Sequence, residues 1–128
     1  HRLSPADIMP VAGIDPGTLQ KRYSFSPGRG SIIAKTGTLI RTDGGASALV
    51  GQFRTQGGET LLFVIFNQRG SVWRFRSVQD ALVASLQNAR GGPAPFAYSP
   101  QHLAVRLAAT QLNPANATST DEYEPEAN

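Results

Sequence analysis

The run Leu61-Leu62-Phe63-Val64-Ile65-Phe66 constrains this chain more than any other feature. It is far too short to span a bilayer, and no other segment is longer and equally apolar. An unbroken apolar run of this length suits a strand covered on both faces, so Thr60 to Asn67 is expected to be a central strand. Upstream, Ala46 to Arg54 alternates loosely, with Leu49 and Phe53 on one parity and Ala48 and Val50 on the other. Thr55-Gln56-Gly57-Gly58-Glu59 lies between the two as a hairpin loop containing glycine. Downstream, Phe75, Val78, Leu82, Ser85, Leu86 and Ala89 recur at three- and four-residue steps, the period of a helix over Val72 to Ala89. Arg90-Gly91-Gly92-Pro93 supplies its stop. A helix with an apolar stripe needs a partner, and the sheet is the large apolar surface available to it.

A third strand candidate, Ser31 to Ile40, is rich in β-branched residues and follows the breaker Ser26-Pro27-Gly28-Arg29-Gly30. The first thirty residues read as short pieces. Ser4-Pro5-Ala6-Asp7 is a helix start with Ser as N-cap, and Asp15-Pro16-Gly17 is a turn leading into one or two helical turns over Thr18 to Tyr23. Taken together, the pattern predicts an α/β unit of three antiparallel strands packed against a C-terminal helix. No internal repeat is visible.

Several function classes fall away. No cysteine and only two distant histidines, His1 and His102, leave no recognisable metal-ligand spacing; neither metal nor cofactor is expected. No Gly-x-Ser-x-Gly elbow exists. Gly28-Arg29-Gly30 ahead of Lys35-Thr36 invites comparison with a phosphate-binding loop, but Ala34 and Arg29 stand where that loop needs glycine. Up to Arg106 the chain holds all 12 basic groups and five acids, a basic balance that attracts anionic partners. Ten of those bases are Arg, scattered singly. Phe53 and Phe75 read as core and Trp73 as a helix-start residue, so no aromatic platform for nucleic acid forms.

Lys35-Thr36-Gly37-Thr38 remains, inside a predicted strand. Glycine weakens a strand and often marks close approach by a ligand or another backbone. Thr36 and Thr38 share a face, which sets two hydroxyls side by side with a cation one residue away. Such an array suits an extended ligand bearing a carboxylate. The same residues also read as a solvated edge strand beside a turn-adjacent glycine.

The ordered segments Met9-Pro10-Val11-Ala12-Gly13-Ile14-Asp15, Gly17-Thr18-Leu19 with Arg22, Ala34-Lys35-Thr36-Gly37-Thr38-Leu39 and Ala46 to Phe53 resemble the C-terminal part of the serine D-Ala-D-Ala carboxypeptidases. The resemblance is to the penicillin-binding-protein-4 type, peptidase family S13, and covers about Leu3 to Ala89. Asp15-Pro16-Gly17 departs from the Asp-Gly-Thr typical of that family. The resemblance implies the C-terminal portion of a penicillin-recognising transpeptidase-like domain, acting on peptidoglycan outside the cytoplasmic membrane, in the periplasm or its equivalent. It implies that Lys35 supplies positive charge and assists proton transfer during acylation. Thr36 and Thr38 would bind the terminal carboxylate of a D-Ala-D-Ala peptide or a β-lactam, and the Thr38 N–H would serve the oxyanion hole. Gly37 would let the substrate backbone lie against the strand. Opposite parities for Lys35 and the two threonines then require the strand to lie at a sheet edge, with one backbone side unpaired.

The family also needs Ser-x-x-Lys and Ser-x-Asn elements. Three residues before the two lysines stand Thr18 and Ile32, and two before the asparagines stand Ile65, Leu86, Gln111, Pro114 and Glu126. The nucleophile is therefore expected from an N-terminal part of the same enzyme, and the chain alone is expected to be inactive. A non-catalytic binding or scaffold module that kept the strand is the other reading.

Residues 1–112 are expected to form the peptidase portion, with a short helix around Gln101 to Ala109. Residues 113–128, with four acids, no base and few large apolar side chains, are expected to be a disordered, dispensable tail. Amide hydrogen exchange checks this: exchange at unprotected rates is expected from Asn113 onward, and protection there would overturn it.

Overall fold

The structure, a computed structural model, describes residues 5–97 apart from Ser26 and Asp43. Ser4, the helix expected around Gln101 to Ala109 and the acidic tail lie outside the described residues. Three antiparallel strands, β1 (Ile32–Leu39), β2 (Ala46–Arg54) and β3 (Thr60–Gln68), follow one helical turn, α1 (Pro5–Ile8), and precede α2 (Val72–Ala89). The strand order is β1-β2-β3. The hairpin loop closes as expected: the Thr55 N–H donates to the Glu59 carbonyl at 3.0 Å, and the Gly58 N–H to that of Thr55. Ser71 caps α2 through its side chain, and Gly91 and Gly92, both with positive φ, end it.

The register fixes which side chains share a face. Ile32, Phe53 and Leu61 lie abreast, as do Thr36, Leu49 and Ile65, on the side covered by α2. The core gathers there around Leu19, Ile32, Ala34, Leu49, Phe53, Phe63 and Val83. A smaller cluster of Ala6, Val11 and Ile33 lies under the N-terminal segment.

Three expectations are corrected. The strand hydrogen-bonded on both sides is β2, whereas β3 pairs with β2 alone among the described residues. Residues of β3 alternate in burial, and Leu62, Val64 and Phe66 stand exposed on the face away from α2. An unbroken apolar run reports that both faces favour cover, not that this chain supplies it. The second correction concerns α2. Its buried residues are Val72, Gln79, Val83 and Gln87, while Val78, Leu82 and Leu86 of the expected stripe face outward. Polar side chains won the inward positions because each buried amide finds partners on the sheet. Gln79 Nε2 donates to the Ser47 carbonyl, Ser47 Oγ and Asn67 Oδ1; Gln87 Nε2 donates to Ser31 Oγ and the Arg54 carbonyl. Thr18 to Tyr23 forms consecutive turns, Gly17 to Gln20 and Leu19 to Arg22, in place of a regular helix.

Gly51, midway along β2, has no room for a side chain. A Cβ there would drive into the Ile33 carbonyl and the Ala34 Cα and Cβ of the neighbouring strand. Gly51→Ala is expected to lower stability by about 1–3 kcal/mol or more, read from the shift of a urea unfolding midpoint. An unchanged midpoint would show that the β1–β2 spacing is looser than described.

Candidate active site

The N-terminal segment covers only half of β1. On the side away from β2, the Ala12 N–H donates to the Ile32 carbonyl at 2.8 Å and the Ala34 N–H to the Pro10 carbonyl at 3.1 Å. Val11 forms an isolated bridge with Ile33. A buried carboxylate holds this strip in place: Asp15 Oδ2 accepts from the Val11 N–H at 2.7 Å. Beyond Ala34 the strip turns away, and among the described residues no backbone group pairs with Lys35 to Leu39 on that side.

Backbone parity then decides what the open edge offers. Ile32 and Ala34 turn their backbone groups away from β2, so in an antiparallel ladder Thr36 and Thr38 do the same. The outward groups are thus the N–H and C=O of the two threonines. Lys35 Nζ donates to the outward Thr36 carbonyl at 2.8 Å, curling over the ribbon edge from the opposite face. The edge placement required by the opposite parities of Lys35 and the threonines is the arrangement seen.

The side chains divide between the faces. Thr36 and Thr38 lie on the α2 side, where Thr36 Oγ1 is 2.8 Å from Thr18 Oγ1 and Thr38 Oγ1 accepts from Arg76 Nη2 at 3.3 Å. Lys35 and Gly37 lie on the other side, beside Val50 and Ala48. A Cβ at Gly37 would meet Ala48 Cβ at 3.7 Å, an ordinary contact, and the backbone has no positive φ there. The fold of this chain does not require glycine at 37, in contrast to Gly51. A groove of about 260 Å³ opens at this point, lined by Gly37, Thr38, Leu39, Ala46, Ser47, Ala48 and Phe66. The missing side chain leaves that groove and the strand edge continuous.

Thr18 and Arg76 join the constellation without having been singled out as site residues in the sequence. Pairing between positions 38 and 76 carries no local pattern, since it depends on how α2 lands on the sheet. Among the described residues no group of His, Cys, Asp or Glu could hold a metal ion, and no helix is long and apolar enough to cross a membrane.

Residues 2–89 match the D-Ala-D-Ala carboxypeptidase 3 (S13) family. The chain belongs to that family. Solved structures of peptidases are also similar to this chain. The penicillin G-acylated Bd3459 predatory endopeptidase of Bdellovibrio bacteriovorus, in complex with immunity protein Bd3460, is similar with 27% identity and a TM-score of 0.60, over 75% of this chain and 25% of that one. The Bd0816 predatory endopeptidase of the same organism, in complex with the same immunity protein, is similar with 28% identity and a TM-score of 0.56, over 75% and 24%. This chain therefore spans about a quarter of the length of these structures. No curated protein matches it.

Behind the threonines, α2 is tied to the N-terminal segment by Arg22, whose Nε lies 2.9 Å from Asp80 Oδ1 and whose Nη2 reaches Gln79 Oε1 at 3.3 Å. Tyr23 lies against this pair with its hydroxyl buried and without a hydrogen bond of good geometry. Burial, and then the adjacent Asp80 carboxylate, push its phenol well above the ordinary tyrosine range. A raised pKa means that the fold holds the protonated form. Its contribution is complete below about pH 10, the unfolded value, and is lost as pH rises beyond it. Tyr23→Phe is expected to abolish that part of the alkaline loss of stability, measured by urea midpoints from neutral to strongly alkaline pH. Parallel declines in both proteins would refute it.

Proposed function

We propose that this chain is the C-terminal part of a serine-type D-alanyl-D-alanine carboxypeptidase/endopeptidase acting on peptidoglycan peptides. Its contribution is the Lys-Thr-Gly strand, and the N-terminal part of the same enzyme supplies the serine nucleophile and its base. The observation that carries this reading is the edge of β1 left open from Lys35, with the backbone of Thr36 and Thr38 turned outward in an S13 family member. Acylation of the Bd3459 neighbour by penicillin G supports it.

A substrate peptide would lie along that edge in extended form. The serine oxygen attacks the carbonyl carbon of the penultimate D-Ala, and the Thr38 N–H donates to the oxyanion that develops. Collapse of the tetrahedral intermediate breaks the C–N bond, and terminal D-Ala departs with a proton on its nitrogen. Water then hydrolyses the acyl-serine ester. With a β-lactam the ring C–N bond opens and the leaving amine stays attached. Lys35 supplies positive charge and assists proton transfer, while the Thr36 and Thr38 hydroxyls bind the carboxylate. Such a reaction belongs outside the cytoplasmic membrane, where peptidoglycan lies.

The test is mass spectrometry with a labelled penicillin on the full-length protein and on this segment. A covalent adduct is expected on the former alone. Lys35→Ala is expected to slow acylation by a few kcal/mol of transition-state stabilisation, on the order of 100-fold or more. Gly37→Ala is expected to leave the melting temperature unchanged while slowing acylation, because its methyl fits the fold and intrudes on the substrate side. An adduct on the isolated segment would show that the nucleophile lies within it. No adduct on the full-length protein would leave a binding or scaffold module as the reading.

A further inference from the structure

Thr18 is an exposed residue on an unusually well-fixed piece of backbone. Before it, Pro16 has a restricted φ and Gly17 adopts φ +123°, a conformation that L side chains rarely take. After it, Leu19 is fully buried in the core. The Gly17 carbonyl accepts from the Gln20 N–H at 3.1 Å, and the Leu19 carbonyl accepts from the Gly13 N–H at 3.0 Å. Arg22, four residues on, is tied to Asp80 of α2. The Thr18 side chain is thus held in place from both directions while contributing little burial of its own. Among the described residues its hydroxyl has one hydrogen-bond partner, Thr36 Oγ1, 2.8 Å away.

Residue 36 is therefore engaged through both of its oxygens. Lys35 Nζ donates to its carbonyl at 2.8 Å, and Thr18 meets its hydroxyl on the α2 side. Either hydroxyl of the pair could donate to the other. A ligand that only accepts removes this freedom, because a hydroxyl has a single hydrogen. Thr36 can donate to such a ligand only when Thr18 donates to Thr36. The relay Thr18 to Thr36 to ligand satisfies every group, and each bond polarises the next. The same contact holds the stiff, β-branched Thr36 side chain in one rotamer before a ligand arrives.

We propose that Thr18 is a positioning residue that sets the rotamer and the proton direction of the Thr36 hydroxyl for substrate binding. It acts through Thr36 and does not itself touch the ligand. The inference rests on the assignment of the β1 edge as the substrate strand. Its hydroxyl has no matching part in stability, since water replaces the partner when an exposed pair is broken.

The experiment uses the full-length protein and follows covalent adduct formation over a range of labelled penicillin concentrations. Thr18→Val is expected to raise the half-saturating concentration roughly 3- to 10-fold, the worth of one neutral hydrogen bond. The limiting rate should change by about twofold or less, because the Thr36 hydroxyl serves bound ligand and transition state alike. The melting temperature should stay unchanged. Thr18→Ser keeps the hydroxyl and should restore the wild-type concentration dependence. In a Thr36→Val background, Thr18→Val should cost nothing further, because its only route to the ligand is gone. Release of D-Ala from an acetylated tripeptide ending in D-Ala-D-Ala should lose the same factor in kcat/KM. Unchanged half-saturation in Thr18→Val, no recovery in Thr18→Ser, or a loss that persists in the Thr36→Val background would each overturn the proposal. Should Thr18→Val fail to fold, Thr18→Ala removes the same hydroxyl with less bulk and decides the matter by the same comparisons. Wild-type protein that forms no penicillin adduct and does not cleave the tripeptide would instead defeat the functional reading beneath it.

Discussion

The position of α2 depends on two buried glutamines. Apolar contacts tolerate small rotations and slides of a helix, because they are non-directional. The Gln79 amide, donating to Ser47 and Asn67 on adjacent strands, does not, nor does Gln87 with Ser31 and Arg54. A shift of one residue would strand buried amide groups, at a cost of about 1–3 kcal/mol each. These bonds fix the helix in rotation and along its axis. Arg76, one turn before Gln79 and Asp80, is thereby set over Thr38. The Arg22–Asp80 pair adds a second tie, from the segment that also brings Thr18 to Thr36.

Elements whose signal is local were legible in the sequence. The hairpin loop at Gly57-Gly58, the helix stopped by Gly91-Gly92, and the strand after Gly30 all carry their own punctuation. Matters that depend on partners were not. Periodicity marked Val78, Leu82 and Leu86 as an apolar stripe, but the inward positions of α2 went to glutamines with matching acceptors on the sheet. Hydrophobicity alone does not identify such positions, because a fully bonded buried amide is stable where an unbonded one is not. The candidate site divided in the same way. Lys35, Thr36, Gly37 and Thr38 are contiguous and visible as a motif, whereas Thr18 and Arg76 join them only through folding.

Gly37 and Gly51 show how a structure separates two reasons for the same residue. At 51 the neighbouring strand occupies the space a methyl would need. At 37 the chain leaves that space open, and the strand edge and groove continue through it. The first glycine is explained by packing within the chain. The second is not explained by packing among the described residues, and the proposal above assigns it to the approach of a ligand's backbone.

The candidate site also lies on a seam between unlike surfaces. On one face of the sheet, Val50, Leu62, Val64 and Phe66 stand exposed as an apolar patch beside Lys35. On the other, α2 covers the core and presents Arg76 to Thr38. Exposed apolar patches of this kind mark surfaces that meet another element. An element covering the patch would wall the edge of β1 from the Lys35 side and exclude water there. Charges at the edge would then act through a lower dielectric than bulk water, which strengthens their pull on an anion. Neither Lys35 nor Arg76 has a carboxylate partner among the described residues. Two unpaired cations on opposite faces of one ribbon favour a negative group at the edge between them, where the Thr36 and Thr38 N–H groups point outward. The backbone and the charges of the ribbon are thus both consistent with the extended, carboxylate-bearing ligand proposed above, and closing the seam would increase the contribution of both.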